Sequence, residues 1–199
     1  MIIEREFYLR NALEVAQDLL GTVLVHETEE GKVRARIVEV EAYIGSEDAA
    51  SHAYKNRNTA RTAVQFGPGG YAYVYLIYGM HYCMNIVTNH AQKPEAVLLR
   101  ALEPLEGIEI MKKRRNTDNI YNLCGGPGKL CAAMKIDRTC YGMDLCNSNL
   151  YLEYGQIPIG KDQIRATRRI NVDYAGEARE YLWRYIVEGN PFISVKNHK

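Results

Sequence analysis

The sequence predicts an α+β fold: a single compact domain on a mostly antiparallel β-sheet with flanking helices. Three observations predict it. Strand-like stretches outnumber helical ones and are not regularly interleaved with them. Tyr71–Thr88 is rich in Tyr, Val and Ile and is broken near its middle by Gly79, the pattern of strand, tight turn, strand. The 199 residues hold no internal repeat or linker, so one domain over 1–199 with a sizeable core is expected.

The elements follow in chain order. Asn11–Leu20 reads as a helix: Ala12, Ala16, Leu19 and Leu20 share a face, Asn11 caps it and Gly21 stops it. Thr22–His26 and Val33–Tyr43 read as strands joined by the turn Glu29-Glu30-Gly31-Lys32. Residues 45–70 form a long polar, Gly-rich segment, and loops of that length are often functional. After the Tyr-rich hairpin come two helices, Glu103–Arg115 and 127–135. In the first, Glu103, Glu106 and Glu109 lie towards the start and Lys112-Lys113-Arg114-Arg115 towards the end, matching the helix dipole. Short strands are expected at Leu150–Tyr154, Ile164–Val172, Leu182–Val187 and Phe192–Val195.

Composition narrows the class. The hydrophobic fraction of 47% is that of a globular protein, and the apolar runs are too short for a membrane span. The N-terminus, Met-Ile-Ile-Glu-Arg-Glu-Phe, lacks a basic start and an apolar core, so a cytoplasmic protein is expected, with no membrane partner. The five cysteines are odd in number and none has C-x-x-C spacing, which argues against a disulfide framework or a zinc site. A net charge of +1 neither demands nor excludes nucleic acid; what matters is local clustering. The clusters are Lys112–Arg115 and Arg165 with Arg168-Arg169, each either a solvated face or a phosphate contact.

Two stretches carry chemistry. In Arg36–Tyr43, strand alternation puts Ile37, Glu39, Glu41 and Tyr43 on one face and Val38, Val40 and Ala42 on the other, which must be core. The acidic face is either a solvated strand surface or a carboxylate held beside an aromatic wall. In Tyr71–Asn85, Tyr71, Tyr73 and Tyr75 alternate onto one face, as a core ladder or as stacking platforms. Tyr78 lies beside Gly79 at the expected hairpin tip, where packing explains a large aromatic poorly and a wedge between base steps explains it well. Leu123-Cys-Gly-Gly-Pro-Gly-Lys129 departs from a phosphate loop, since Leu130 follows the lysine; it reads as a Gly/Pro turn entering a helix whose N–H groups could meet a DNA phosphate.

These residues have a known pattern. Ile37–Gly45 (IVEVEAYIG), Glu47-Asp48 with His52, Tyr73–Asn85 (YVYLIYGMHYCMN), Val97–Gly107 (VLLRALEPLEG) and Gly126–Cys131 (GPGKLC) closely resemble the 3-methyladenine (alkyladenine) DNA glycosylase family, in the same order from about residue 5 to residue 196. The resemblance implies a curved antiparallel sheet with a protruding, DNA-inserting hairpin. It implies that Glu41 activates the attacking water and that Arg100 helps to hold it. Tyr43, His52 and Tyr75 match the walls that sandwich an extruded base. Asn85 matches the residue that crowds the exocyclic amino group of guanine, and Tyr78 the intercalating tyrosine. The implied partner is double-stranded DNA containing alkylated or deaminated purines, met by a monomer that needs no cofactor and no metal. His81 departs from the aromatic residue common beyond the intercalating tyrosine, and Thr88–Glu95 is longer than in some relatives. No lysine lies within the motifs in a position expected of a Schiff-base nucleophile, Lys55 in the polar loop being the nearest, which favours plain hydrolysis over lyase chemistry. Two rivals fit less well. A silent binding module would not need Glu41 beside Tyr43, and an enzyme on free nucleosides would not need a hairpin tyrosine.

Overall fold

The computed structural model describes residues 1–195; residues 196–199 of the expected 1–199 domain lie outside the described residues. A short helix α1 (Arg5–Tyr8) precedes α2 (Ala12–Leu19). Asn11 caps α2 as expected, its side chain accepting from the Glu14 N–H at 3.0 Å. Ala12, Val15, Ala16 and Leu19 are the buried face of α2, which packs on the sheet.

The strands are β1 (Val23–Thr28), β2 (Gly31–Tyr43), β3 (Ala72–Ile77), β4 (His81–Thr88), β5 (Glu95–Glu106), β6 (Leu150–Glu153), β7 (Ile164–Thr167) and β8 (Arg184–Val187); helices α3 (Ile108–Arg115) and α4 (Pro127–Met134) follow β5. Every pairing is antiparallel, in the order β3-β4-β5-β2-β1-β6. The 13-residue β2 pairs with β5 along one edge. Along its other edge it pairs first with β1 and then with β8, which carries β7.

The β2–β5 pair holds the irregularity that shapes the site. Ile37 pairs with Leu102 but Glu39 pairs with Ala101, leaving Val38 extra on β2; Val40 then pairs with Leu99, leaving Arg100 extra on β5. Such bulges bend a strand and re-aim its side chains. The expectation that Ile37 shares a face with Glu39 and Glu41 is corrected here. Ile37 and Val38 are both fully buried in the core, so the inward phase runs Val33, Ala35, Ile37 and then Val38, Val40, Ala42. Glu39, Glu41 and Tyr43 are left together on the opposite face.

Three other expectations change. Glu103–Glu106 is the end of β5, not the start of a helix, with Glu103 opposite Arg36 and Glu106 opposite Arg34. Gly107 makes the break at φ +74°, where a Cβ would lie 2.5 Å from the Lys32 carbonyl oxygen, and α3 begins only at Ile108. The strand expected over Ile164–Val172 stops at Thr167, because Arg169 and Ile170 turn inward to carboxylates. Phe192–Val195 is not a strand: the Ser194 N–H donates to the Glu39 carboxylate instead of to a neighbouring strand.

Candidate active site

The face of the sheet away from α2 floors a cavity of about 430 Å³, within the size range of small-molecule sites. β2 gives it Glu41 and Tyr43, β3 Tyr73 and Tyr75, β4 Cys83 and Asn85, and β5 Ala96, Leu98 and Arg100. The 45–70 segment folds over one side through three 3₁₀ turns and adds Ser51, His52, Arg61 and Gln65. All seven expected site residues therefore line one cavity, with the exposed Tyr78 at its rim.

Glu41 is fully buried. Its Oε1 accepts from the Ile170 N–H at 2.7 Å and pairs with Arg100 Nη1 at 3.2 Å; its Oε2 accepts from the Tyr43 hydroxyl at 2.8 Å. A carboxylate offers about four acceptor positions. Among the described residues one hydrogen bond fills a position on each oxygen and the Arg100 ion pair crowds Oε1, so an acceptor position stays open on Oε2. Glu39, also fully buried, accepts from Arg100 Nε (3.0 Å), Arg184 Nε (2.7 Å), and Ser194 N–H (2.5 Å) and hydroxyl (2.8 Å). Burial raises the Glu39 carboxyl, but the Arg100 and Arg184 guanidiniums outweigh it and hold it below the usual range. Burial lowers the Arg100 guanidinium, and Glu41 and Glu39 together raise it above its ordinary value.

The walls are largely aromatic, with Arg61 the charged side chain among them. His52 and Tyr75 meet edge to face with ring centroids 4.8 Å apart, and Tyr73 lies 5.2 Å from Tyr75. His52 Nδ1 is 2.9 Å from the Tyr73 hydroxyl. Burial, aided by Arg61 and Arg57, lowers His52 to about 4, so its imidazole is neutral at pH 7. Burial likewise pushes Tyr73 up to about 12 and Tyr43 and Tyr75 well above 10. Asn85 is buried, its amide donating to the Tyr73 carbonyl at 3.2 Å.

Beside the cavity, β3 and β4 form a hairpin. Tyr78 and Gly79 both have positive φ, 53° and 69°, and the Met80 N–H donates back to the Ile77 carbonyl. Tyr78 is 77% exposed. Pro127 and Gly128, which open α4, border the same cavity; Gly128 lies against the His81 side chain, where a Cβ would come within 3.0 Å. The Gly/Pro turn thus enters a helix, as expected.

The basic clusters are largely spent on the protein itself. Arg169 is buried, not on a wet strand face: it forms a two-pronged ion pair with Asp48 and lies 4.7 Å from the Tyr43 ring centroid. Arg114 binds Glu30, Thr28 and the Ala133 carbonyl, and Arg115 the Leu123 carbonyl. Sequence reasoning missed Arg61, whose guanidinium lies over Tyr75 at 4.5 Å, and the Asp48–Arg169 brace behind Tyr43. It also missed Ile170, which acts through a main-chain N–H that no residue type announces. Among the described residues no lysine lines the cavity, and Lys55 sits over the Tyr54 ring outside it. The five cysteines are free thiols, four of them buried. Among the described residues no helix is long and apolar enough to cross a membrane.

Comparison with known proteins places this geometry. The family model for methylpurine-DNA glycosylase (MPG) matches residues 6–191. Relatives bearing the name "Putative 3-methyladenine DNA glycosylase" include one from Alkaliphilus oremlandii, 50% identical over 98% of this chain and all of its own. Others come from Desulfitobacterium hafniense, 48% identical over 96% of this chain and 98% of that protein, and Clostridium acetobutylicum, 47% over 98% of each. Fold, cavity and relatives together define a monofunctional DNA glycosylase, a hydrolase of the bond between base and sugar. The chain belongs to the methylpurine-DNA glycosylase family.

Proposed function

We propose that this protein excises alkylated purines, and deaminated purines of similar shape, from double-stranded DNA by swinging the nucleotide out of the helix and hydrolysing its glycosidic bond with a water activated by Glu41. The observation that carries the proposal is a fully buried carboxylate with one open acceptor position, joined to an aromatic wall of a base-sized cavity.

A base inside a duplex is out of reach of a buried carboxylate, so it must be extruded, at a cost of a few kcal/mol. Tyr78, exposed at the cavity rim, fills the gap and offsets part of that cost. The base enters between Tyr43 and the pair His52 and Tyr75. Many alkylated purines are cations, and electron-rich rings attract a cation by roughly 0.5–2 kcal/mol per contact. A charged imidazole would oppose this; a neutral His52 does not. Asn85 crowds the exocyclic amino group of guanine and so disfavours the normal base. Glu41 takes a proton from water through the free position on Oε2, while Arg100 helps to hold that water. The carboxylate's negative charge also favours the developing oxocarbenium ion, as in glycoside hydrolysis.

The test is excision from a duplex carrying a single 3-methyladenine, 7-methylguanine or hypoxanthine. Free base and alkali-dependent strand breaks are expected. Breaks that appear without alkali would contradict hydrolysis, and intact duplex would contradict the proposal.

A further inference from the structure

We propose that Glu39 is a positioning residue for this reaction: by engaging Arg100 it keeps that guanidinium from closing on Glu41, and so leaves the base open to its water. The inference rests on the function proposed above and deepens it.

The two carboxylates sit two residues apart on one face of β2, and Arg100 lies between them as the extra residue of the β5 bulge. Guanidinium and carboxylate prefer a two-pronged pairing, with two parallel N–H···O bonds. Arg100 and Glu41 do not adopt it. Arg100 directs Nε to Glu39 Oε1 at 3.0 Å, makes no hydrogen bond to Glu41 among the described residues, and approaches it most closely from Nη1 to Oε1, at 3.2 Å. The oxygen that Arg100 leaves alone, Oε2, is the one with the open acceptor position. If Glu39 lost its charge, the pull on Nε would weaken and Arg100 would turn its fork to Glu41, the remaining carboxylate in reach. Both Glu41 oxygens would then be occupied, and water would lose its place.

Glu39 is itself held in position. Arg184 comes from β8, directly opposite Glu41 in the ladder, and Ser194 from the chain's last described segment; together they give Oε1 and Oε2 three further donors. The other charged or titratable groups near Glu41 are Tyr43 on its own strand, Arg169 and Tyr174 from the segment that follows β7, and Cys83 on β4. None of these reaches the Arg100 guanidinium with a hydrogen bond among the described residues. A buried ion pair is weak evidence for stability, since apolar replacements often serve the fold as well or better. Its arrangement, with one arginine shared between two carboxylates, is what argues for a role in the reaction.

The experiment is a double-mutant cycle read by single-turnover excision, with equilibrium binding to the same lesion duplex measured in parallel. Glu39→Gln is expected to slow excision at least tenfold while lesion binding changes less than twofold. In an Arg100→Ala background the same substitution is expected to change the rate less than twofold, because no fork remains to restrain. A purely structural role would slow both backgrounds alike and weaken binding, and that result overturns the inference. So does wild-type speed in Glu39→Gln. If Glu39→Gln does not fold, Glu39→Asp keeps the charge but shortens the arm; it is expected to show the same tenfold loss, and full activity would overturn the proposal. A wild-type protein that releases no base would instead sink the function beneath it.

Discussion

The Tyr43 hydroxyl donates to Glu41 Oε2 at 2.8 Å, so a wall of the cavity and the carboxylate at its floor are joined through the one oxygen that has an acceptor position free. The ring and the hydroxyl of Tyr43 then do different things. Tyr43→Phe keeps the ring and removes a hydrogen bond to a charged group, an effect of about 1.5–3 kcal/mol. Lesion binding should persist while single-turnover excision falls by roughly tenfold or more; Tyr43→Ala should lose binding as well. Equal losses of binding in both variants would show that the wall role is wrong.

Tyr78 holds φ at +53°, a conformation that a bulky residue rarely adopts. Leaving αR or β space for this region costs about 1 kcal/mol, and asparagine tolerates it better. Tyr78→Asn should therefore raise the melting temperature slightly, by about 2–4 °C per kcal/mol for a chain of this size. It should also weaken capture of a lesion duplex by roughly tenfold, since stacking on a base is worth about 1–3 kcal/mol. Thermal melts and a binding titration decide this together, and unchanged capture would remove the wedge role.

Asn85 is buried among Tyr73 and the cavity-lining residues of β4 and β5. Shortening it should admit the guanine amino group. Asn85→Ser is expected to release undamaged guanine at a rate measurably above wild type, with activity on 3-methyladenine retained. No gain on guanine would place the discrimination elsewhere.

His52, lowered to about 4 in the folded protein, is expected to stay neutral through pH 5–8, and NMR titration of its ring should show a midpoint near 4. The sign for stability follows. Between about 4 and the unfolded value near 6.5 the unfolded chain binds the extra proton, so folding weakens as pH falls through that window and is unaffected by His52 above it. A ring midpoint near 6.5 would contradict both the neutral wall and this acid sensitivity.

Much of the site was legible because strand alternation is a strict rule away from bulges. Glu41 and Tyr43 share a face, as do Tyr73 and Tyr75, and both pairs line the cavity. Ile37 was misplaced because the bulge at Val38 reverses the alternation, and a bulge depends on the partner strand rather than on local composition. Arg169 looked like a surface cation because its partner, Asp48, lies 121 residues away in sequence. Ile170 was invisible for another reason: its contribution is a backbone N–H, which every residue but proline possesses. Glu103 and Glu106 mimicked a helix start by their spacing, yet they pair across the sheet with arginines.

The central claim is that Glu41 is the base. The most direct measurement compares wild type and Glu41→Gln on one duplex containing a single 7-methylguanine, following both bound duplex and released base. The side chains differ little in size, so the variant should bind the lesion within a few-fold of wild type and release no base above the spontaneous rate. Release at the wild-type rate would contradict the account.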